Sequence, residues 1–179
     1  MKALIIYGTR YGSTAEISEE MGKTLRELGV EVDVVNAKKG RVENPGGYDL
    51  YIVGSGIKMG KWTREPQRFL KNNRERLTNR PVALFVSCGS VEKPEECEKA
   101  RSEYLDDIEG KYPDLRVIAK GMFGGRYDPN GGFMMRMAMK GKQDEMEKEG
   151  REFDPDSVYD FRDWDAIRAW AAGLIDLAS

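Results

Sequence analysis

Hydrophobic positions along this chain alternate between short β-branched runs and longer stretches at helical spacing, which is the pattern of βαβ units on a parallel sheet. Residues 3–7 form an unbroken apolar run, which predicts a strand buried on both faces. Apolar positions then repeat at helical spacing over residues 14–28, and Gly29 follows as a stop signal. Residues 30–35 alternate apolar and polar, which predicts a strand exposed on one side.

The same alternation continues to the end of the chain. Further strands are predicted at residues 49–54, 81–86 and 116–119. Further helices are predicted at residues 64–76, at residues 93–112 with Cys97 on the buried side, and from an Asp163 N-cap to Leu177. Residues 121 to about 160 differ, being rich in glycine and methionine and too long for an ordinary connection. They predict a functional loop or a small helical excursion within a single domain of residues 1–179.

Composition removes whole classes of function. The 179 residues include 29 Lys and Arg against 31 Asp and Glu, and this net charge of −2 argues against a nucleic-acid partner. Histidine is absent, which excludes His-dependent nucleophiles and His metal ligands. Cys88 and Cys97 are too few for a thiolate metal site and are not spaced as a CxxC pair. No apolar run is long enough to span a membrane, so we expect a soluble, cytoplasmic protein whose redox chemistry would need an organic cofactor.

The first predicted strand runs into a loop of glycine and hydroxyl residues that opens a helix. This loop reads Gly8-Thr9-Arg10-Tyr11-Gly12-Ser13-Thr14, and it fits neither the Walker A spacing nor the Rossmann G-x-G-x-x-G pattern. Either Ser13 or Thr14 merely caps the helix, or the loop binds an anion with its free N–H groups. Its hydroxyls exceed what one cap requires, so the sequence favours a phosphate-binding loop.

Two more loops of small residues follow later strands. The second contains Ser55-Gly56-Ile57-Lys58-Met59-Gly60 and then Trp62, whose indole either covers a flat ligand or packs on the neighbouring helix. The third reads Ser87-Cys88-Gly89-Ser90. Ligands bind at the carboxyl ends of strands in an open parallel sheet, where all three loops would meet. Together they predict a site for a phosphorylated planar ligand.

These residues resemble the flavodoxin family, most closely the flavodoxin-like branch that includes the menaquinone-dependent protoporphyrinogen dehydrogenases. The resemblance rests on residues 9–14, residues 54–60 and the tail Asp160-Phe161-Arg162-Asp163-Trp164. It implies a three-layer α/β sandwich with a five-stranded parallel sheet of order 2-1-3-4-5 and helices on both faces. It also implies FMN, with its phosphate at residues 9–14 and its ring between residues 55–62 and the loop from Ser87.

The resemblance also sets expectations for the rest of the cofactor site. Gly124 and Gly125 are expected among the cofactor contacts, and no catalytic residue or metal ligand is assigned. The third loop has no aromatic residue to stack on a flavin, so one flavin face is either left open or covered by Tyr127 or Phe133 from the long segment.

Two functions are carried forward from the resemblance. The first is a flavodoxin-type electron carrier between redox proteins, and the alternative is a flavin-dependent dehydrogenase of the protoporphyrinogen or quinone oxidoreductase type. Two further hypotheses have less support from the residues. No residue pattern specifically indicates the nicotinamide site of a quinone reductase, and the hydroxyl-rich loop argues against a cofactor-free interaction module. The long segment supports the dehydrogenase if Phe133 and the methionines at 134, 135, 137 and 139 form an adaptable surface for a substrate or membrane. The same methionines would equally form a small satellite core, and both a monomer and a homodimer remain open.

Two smaller hypotheses concern the tuning of the flavin reduction potential and the docking of a redox partner. Because Gly60 tolerates either backbone orientation, the Met59–Gly60 peptide would turn over cheaply and offer its carbonyl to a reduced flavin. The acidic residues at 92, 95, 96 and 98 form either a docking rim or simply a solvated helix start.

Overall fold

The computed structural model describes residues 1–92 and 94–179, without the side chains of Ser90, Glu92, Pro94 and Glu95. Lys93, the predicted first residue of a helix, therefore lies outside the described residues. The same holds for the side chains of Glu92 and Glu95 in the suggested acidic rim.

Strands and helices alternate along the described chain as the hydrophobic pattern predicts. The strands are β1 (Lys2–Gly8), β2 (Glu31–Asn36), β3 (Leu50–Lys58), β4 (Lys61–Trp62), β5 (Pro81–Ser87), β6 (Arg116–Phe123), β7 (Arg126–Tyr127) and β8 (Tyr159–Asp160). The α-helices are α1 (Ser13–Glu27), α2 (Arg64–Asn72), α3 (Arg74–Leu77), α4 (Pro94–Arg101), α5 (Asp107–Gly110), α6 (Phe133–Lys148) and α7 (Trp164–Ala178).

The main sheet has the strand order β2-β1-β3-β5-β6, and these five strands are parallel. The short β4 only pairs back antiparallel on β3 as a hairpin. When β4 is set aside, this order is the predicted 2-1-3-4-5, and the prediction is confirmed. Every residue of β5 is buried, as expected for a strand covered by helices on both faces.

Helices cover both faces of the sheet, so the predicted three-layer sandwich is confirmed. On one face α1 and α7 pack together, with Ile17, Met21 and Leu25 in the same core as Ile167 and Ala171. The opposite face is covered by α2, α3 and the segment from α4 to α5 through Phe69, Leu70, Leu77, Leu105 and Ile108. Each face of the sheet thus has its own hydrophobic core.

Two predicted helices are interrupted in the structure. The helix predicted at 64–76 breaks at Asn73, because its side-chain amide donates a hydrogen bond of 2.9 Å to the Phe69 carbonyl and its backbone leaves helical geometry. The helix predicted at 93–112 contains a π-helical turn at Ser102–Asp106 between α4 and α5. Cys97 is half-buried rather than in the core, and Leu177 is half exposed on the last turn of α7.

The long segment begins later than predicted and contains a helix. Strand β6 continues to Phe123, beyond the predicted end at residue 119, because its last residues pair with β5. The short strands β7 and β8 then pair antiparallel as a ribbon, and α6 lies between them in sequence. In the described ranges, no helix combines the length and the apolarity needed to cross a bilayer.

A buried arginine, Arg162, connects the ribbon to α1 through hydrogen bonds to both. The Arg162 guanidinium donates to Asp160 at 2.6 Å and to Glu16 at 2.7 Å, and it lies 4.4 Å from the Trp164 ring centroid. The hydrogen bond from Arg162 lowers the pKa of the Asp160 carboxyl below its usual value. At Gly124 a Cβ would lie 2.0 Å from the Phe161 backbone oxygen, so only glycine permits this contact. The ribbon is therefore fixed beside the amino end of α1.

Candidate functional site

A cavity of about 210 Å³ lies at the carboxyl ends of the central strands, where the three predicted loops meet. Eleven of the predicted site residues line it: Thr9, Arg10, Tyr11, Ser13, Thr14, Gly56, Ile57, Ser87, Cys88, Gly89 and Gly125. The other predicted site residues, which do not line it, are Gly12, Ser55, Lys58, Met59, Gly60, Trp62 and Gly124. The structure thus brings part of each predicted loop to one cavity.

The first loop ends in a helix start that no side chain caps. Gly12 is the N-cap of α1 with a left-handed φ of 99°, and its N–H donates to Thr9 Oγ1 at 3.0 Å. Neither Ser13 nor Thr14 caps the helix, so that alternative interpretation of the loop is wrong. The positive end of a 15-residue helix therefore borders the cavity without a side-chain cap.

The two hydroxyls at this helix start differ in their partners. Ser13 Oγ accepts a hydrogen bond of 2.9 Å from the Arg126 N–H and so helps to hold the ribbon. Thr14 is 1% exposed, and its hydroxyl has no hydrogen-bond partner among the described residues. A Cβ at Gly56 would lie 3.0 Å from Thr14 Oγ1, so glycine leaves the space beside this hydroxyl open. A buried hydroxyl without a partner costs about 1–3 kcal/mol, which a ligand oxygen would recover.

The second loop is a tight hairpin rather than a flexible glycine turn. Ile57 pairs with Trp62 and Lys58 with Lys61, which leaves Met59 and Gly60 as a two-residue turn. Both turn residues have positive φ, 50° and 70°, the combination that a type I′ turn requires. Reversing their shared peptide would give a type II′ turn, which takes glycine at the position Met59 occupies. The hairpin therefore opposes the cheap peptide reversal that the sequence suggested.

Trp62 and Ser55 are parts of the scaffold beneath this hairpin. The Trp62 indole is 6% exposed and donates from Nε1 to the Tyr104 carbonyl at 2.6 Å. It packs against the neighbouring helical segment, as the alternative interpretation of this loop expected. The fully buried Ser55 Oγ accepts from the Thr63 N–H at 2.9 Å, at the start of α2. These two residues hold the hairpin and do not reach the cavity.

The third loop is held against the end of β6. Cys88 N–H donates to the Phe123 carbonyl at 3.0 Å, and Ser87 Oγ donates to the Gly124 carbonyl at 3.0 Å. The Cys88 side chain is 7% exposed and lines the cavity. Of the two aromatic residues proposed to cover a flavin face, Tyr127 lines the cavity, whereas Phe133 does not and is 71% exposed.

Helix α6 forms one wall of the cavity, which the sequence did not predict. Its lining residues recur at helical spacing: Met135, Ala138, Gly141, Lys142 and Glu145. Met135 and Met139 are buried, so part of the methionine cluster is a satellite core. Met134 and Met137 stay exposed, which leaves the rest of the cluster on the surface. In the sequence, only the helical spacing of small residues and one lysine could have indicated that this face of α6 lines a site.

Lys142 is a buried cation in this wall. Its side chain is 1% exposed, and its ammonium lies 3.6 Å from Glu145 Oε1. The same ammonium lies 5.9 Å from the Tyr127 ring centroid and 5.1 Å from that of Phe161, within cation–π range of both. The aromatic ribbon thus fixes a positive charge beside the cavity. Among the side chains that the structure describes, no group of three or more acidic or cysteine residues is arranged to hold a metal ion.

Comparisons with known proteins agree with this geometry. A family model described as a flavodoxin domain matches residues 4–149. Protoporphyrinogen IX dehydrogenase [quinone] of Escherichia coli (strain K12) is 29% identical over 183 residues, covering 99% of this chain and 96% of the relative. A short-chain flavodoxin associated with a non-canonical PDU bacterial microcompartment matches with a TM-score of 0.62 and 15% identity, covering 100% of this chain and 99% of that one. Oxidised flavodoxin 1 from Bacillus cereus matches with a TM-score of 0.58 and 15% identity, covering 98% of each chain.

Proposed function

Because this chain belongs to the flavodoxin domain family, we propose that it binds FMN in the cavity described above and carries electrons between redox proteins. Bound FMN would supply reversible oxidation and reduction at this site. We propose a cytoplasmic setting for it, as a monomer or a homodimer.

The buried Thr14 hydroxyl is the observation that carries this proposal. It stands at the uncapped start of α1, without a hydrogen-bond partner among the described residues, beside space that Gly56 leaves open. Helix N-termini with such free donors suit phosphate groups. A phosphate oxygen at this position would accept from Thr14 and face the positive helix end, which fits the phosphate of FMN.

The remaining lining residues fit the other parts of FMN. Ile57 and the loop of Ser87, Cys88 and Gly89 offer small or apolar surfaces to a flat ring, as the position of the ring in the family implies. Tyr127 would cover the ring from the side that the third loop leaves without an aromatic residue. Helix α6 would close the cavity against water, and its Lys142 would keep a positive charge beside the anionic cofactor.

Binding of FMN is tested by titration of the purified, cofactor-stripped protein. We expect quenching of FMN fluorescence with a much lower dissociation constant for FMN than for riboflavin, which lacks the phosphate. Equal affinity for the two would contradict the phosphate site at Thr14. Failure to bind either would overturn the proposed function and leave a cofactor-free interaction module.

A second candidate function is a dehydrogenase that oxidises a flat apolar substrate and reduces a quinone. Its support is the wall formed by α6, together with the likeness to protoporphyrinogen IX dehydrogenase [quinone] over nearly the whole of both chains. The hairpin also favours it, because the type I′ turn at Met59 and Gly60 opposes the peptide reversal that would help to separate two one-electron steps.

An anaerobic reductive titration followed by visible absorbance separates the two candidates. Two resolved one-electron steps favour the carrier, whereas a single two-electron step favours the dehydrogenase. If a single two-electron step is observed, the protein should also catalyse oxidation of protoporphyrinogen IX by a menaquinone analogue, at a rate proportional to the protein concentration. Absence of that turnover would leave the carrier as the better proposal.

A further inference from the structure

We propose that the mouth of the cofactor cavity carries a docking surface for a redox protein with clustered surface carboxylates. The proposal rests on the proposed function, because it concerns the partner that exchanges electrons with bound FMN. The surface consists of Arg10, Lys58, Lys61 and Arg64 around Met59 at the hairpin tip, and we call it the cationic rim.

The cationic rim adjoins the cofactor cavity directly. Its residues line an indentation of about 380 Å³, and Arg10 borders both this indentation and the cofactor cavity. Ile57 of the cofactor cavity immediately precedes Lys58 in β3. The indentation is lined otherwise by Trp62 and Thr63, so no acidic residue lies among its lining residues. A partner bound here would therefore approach the cofactor closely.

None of the four cations of the rim forms an ion pair within the described part of the chain. Other arginines of the same chain are neutralised, such as Arg162 by Asp160 and Glu16, and Arg168 by Glu20. The chain as a whole has a net charge of −2, so this unpaired positive charge is local. Positive groups left unpaired at one place attract a partner of opposite charge and orient its approach.

Exposed apolar side chains lie among these cations. Met59 is 89% exposed at the hairpin tip. Arg10 also borders a second indentation of about 290 Å³, which is lined by Phe133 (71% exposed) and Met134 (41% exposed). Apolar residues within a charged margin are the usual anatomy of protein interfaces, in which Met and Arg are enriched.

The shape of this surface favours a protein over a lipid bilayer. The two indentations beside Arg10 are concave, and protruding side chains of a protein fill such hollows whereas a bilayer surface is flat. The negative charge on the rest of the chain would also oppose close approach to an anionic membrane. We therefore assign the surface to an acidic redox protein.

The experiment uses stopped-flow reduction of the FMN-loaded protein by reduced plant-type [2Fe–2S] ferredoxin, an acidic one-electron donor. In each event one electron leaves the reduced cluster and enters the bound FMN. The test variant is Lys61→Glu with Arg64→Glu, two exposed residues outside the cofactor cavity. The control is Lys38→Glu with Arg41→Glu, an exposed pair with the same spacing and charge change.

We expect the wild-type second-order rate to fall as salt rises, and the test variant to react about tenfold more slowly at low salt with little salt dependence. The control pair should react at close to the wild-type rate. Equal slowing in both variants would overturn the proposal, because only net charge would then matter. Binding to vesicles of equal parts phosphatidylcholine and phosphatidylglycerol, lost only in the test variant, would assign the surface to membrane and also overturn it.

These outcomes are distinct from failure of the proposed function. Absorbance of bound FMN is measured before each reaction, and all three proteins should retain it equally. A wild-type protein without FMN would contradict the proposed function itself, whereas an FMN-loaded protein with unchanged rates in the test variant would contradict only the docking surface.

Discussion

Replacing Thr14 with valine should stabilise the cofactor-free protein and weaken FMN binding at the same time. Valine has nearly the shape of threonine and a similar helix propensity, so the substitution removes little except the hydroxyl. That hydroxyl is 1% exposed and has no hydrogen-bond partner among the described residues. Opposite signs for the two effects follow directly from this arrangement.

Both magnitudes follow from the surroundings of the hydroxyl. Removing a buried donor without a partner relieves a desolvation cost of about 1–3 kcal/mol in the cofactor-free protein. A hydrogen bond to a charged phosphate contributes about 1.5–3 kcal/mol to binding. At about 1.4 kcal/mol for each factor of ten, loss of this bond should raise the dissociation constant for FMN by roughly 10- to 150-fold.

The measurements are urea unfolding of the cofactor-free protein and fluorescence titration with FMN. The matched control is Thr24→Val on the same helix, where the hydroxyl donates to the Glu20 carbonyl at 3.0 Å. This control should lose a little stability and bind FMN as the wild type does. The reasoning would be refuted if Thr14→Val bound FMN with unchanged affinity, or if it destabilised the cofactor-free protein as the control does.

Three further predictions concern other parts of the site and fold. Lys142→Met should weaken FMN binding about tenfold in a fluorescence titration, because it removes a buried positive charge, whereas Lys140→Met at an exposed position of the same helix should not. Gly124→Ala should lower the melting temperature and abolish FMN retention, because its Cβ would lie 2.0 Å from a backbone oxygen of the ribbon; a Tm equal to that of the wild type would contradict this packing. Burial and a hydrogen bond to Asp33 raise the pKa of Tyr48 to about 12, so the fold favours the neutral phenol. Since an unfolded tyrosine ionises near pH 10, stability should fall between about pH 10 and 12, and Tyr48→Phe should flatten that fall in urea unfolding.

The hydrophobic pattern predicted the sheet and the convergence of the three loops because both depend on local signals. Buried strands read as apolar runs, and the carboxyl ends of such strands meet wherever the sheet is parallel. The loops after the first, third and fourth predicted strands therefore converge as expected. The helix breaks at Asn73 and at Ser102–Asp106 were missed, because they depend on side-chain competition and local winding that spacing does not report.

The contribution of α6 could not be predicted from spacing alone. In the sequence, Lys142 cannot be told apart from the other basic residues of a charged segment. Only the structure shows that Tyr127 and Phe161 lie against its ammonium group. Those contacts join residues far apart along the sequence, and one sequence carries no record of them. Trp62 is the opposite case, a residue that the sequence suggested for the site and the structure does not place there. Its position in a glycine-rich loop suggested a ligand contact, whereas its indole is buried and donates a hydrogen bond to the Tyr104 carbonyl.

Residues 126–160, which include the ribbon and α6, leave the main sheet and return to it at almost the same point. Phe161 N–H donates to the Gly125 carbonyl at 3.0 Å, and Arg126 pairs with Asp160 in the ribbon. A short turn could therefore join residues 125 and 161 without interrupting the five parallel strands of the main sheet. The cavity wall therefore behaves as a replaceable insertion: segments of different length and chemistry at this junction would give one parallel sheet different specificities.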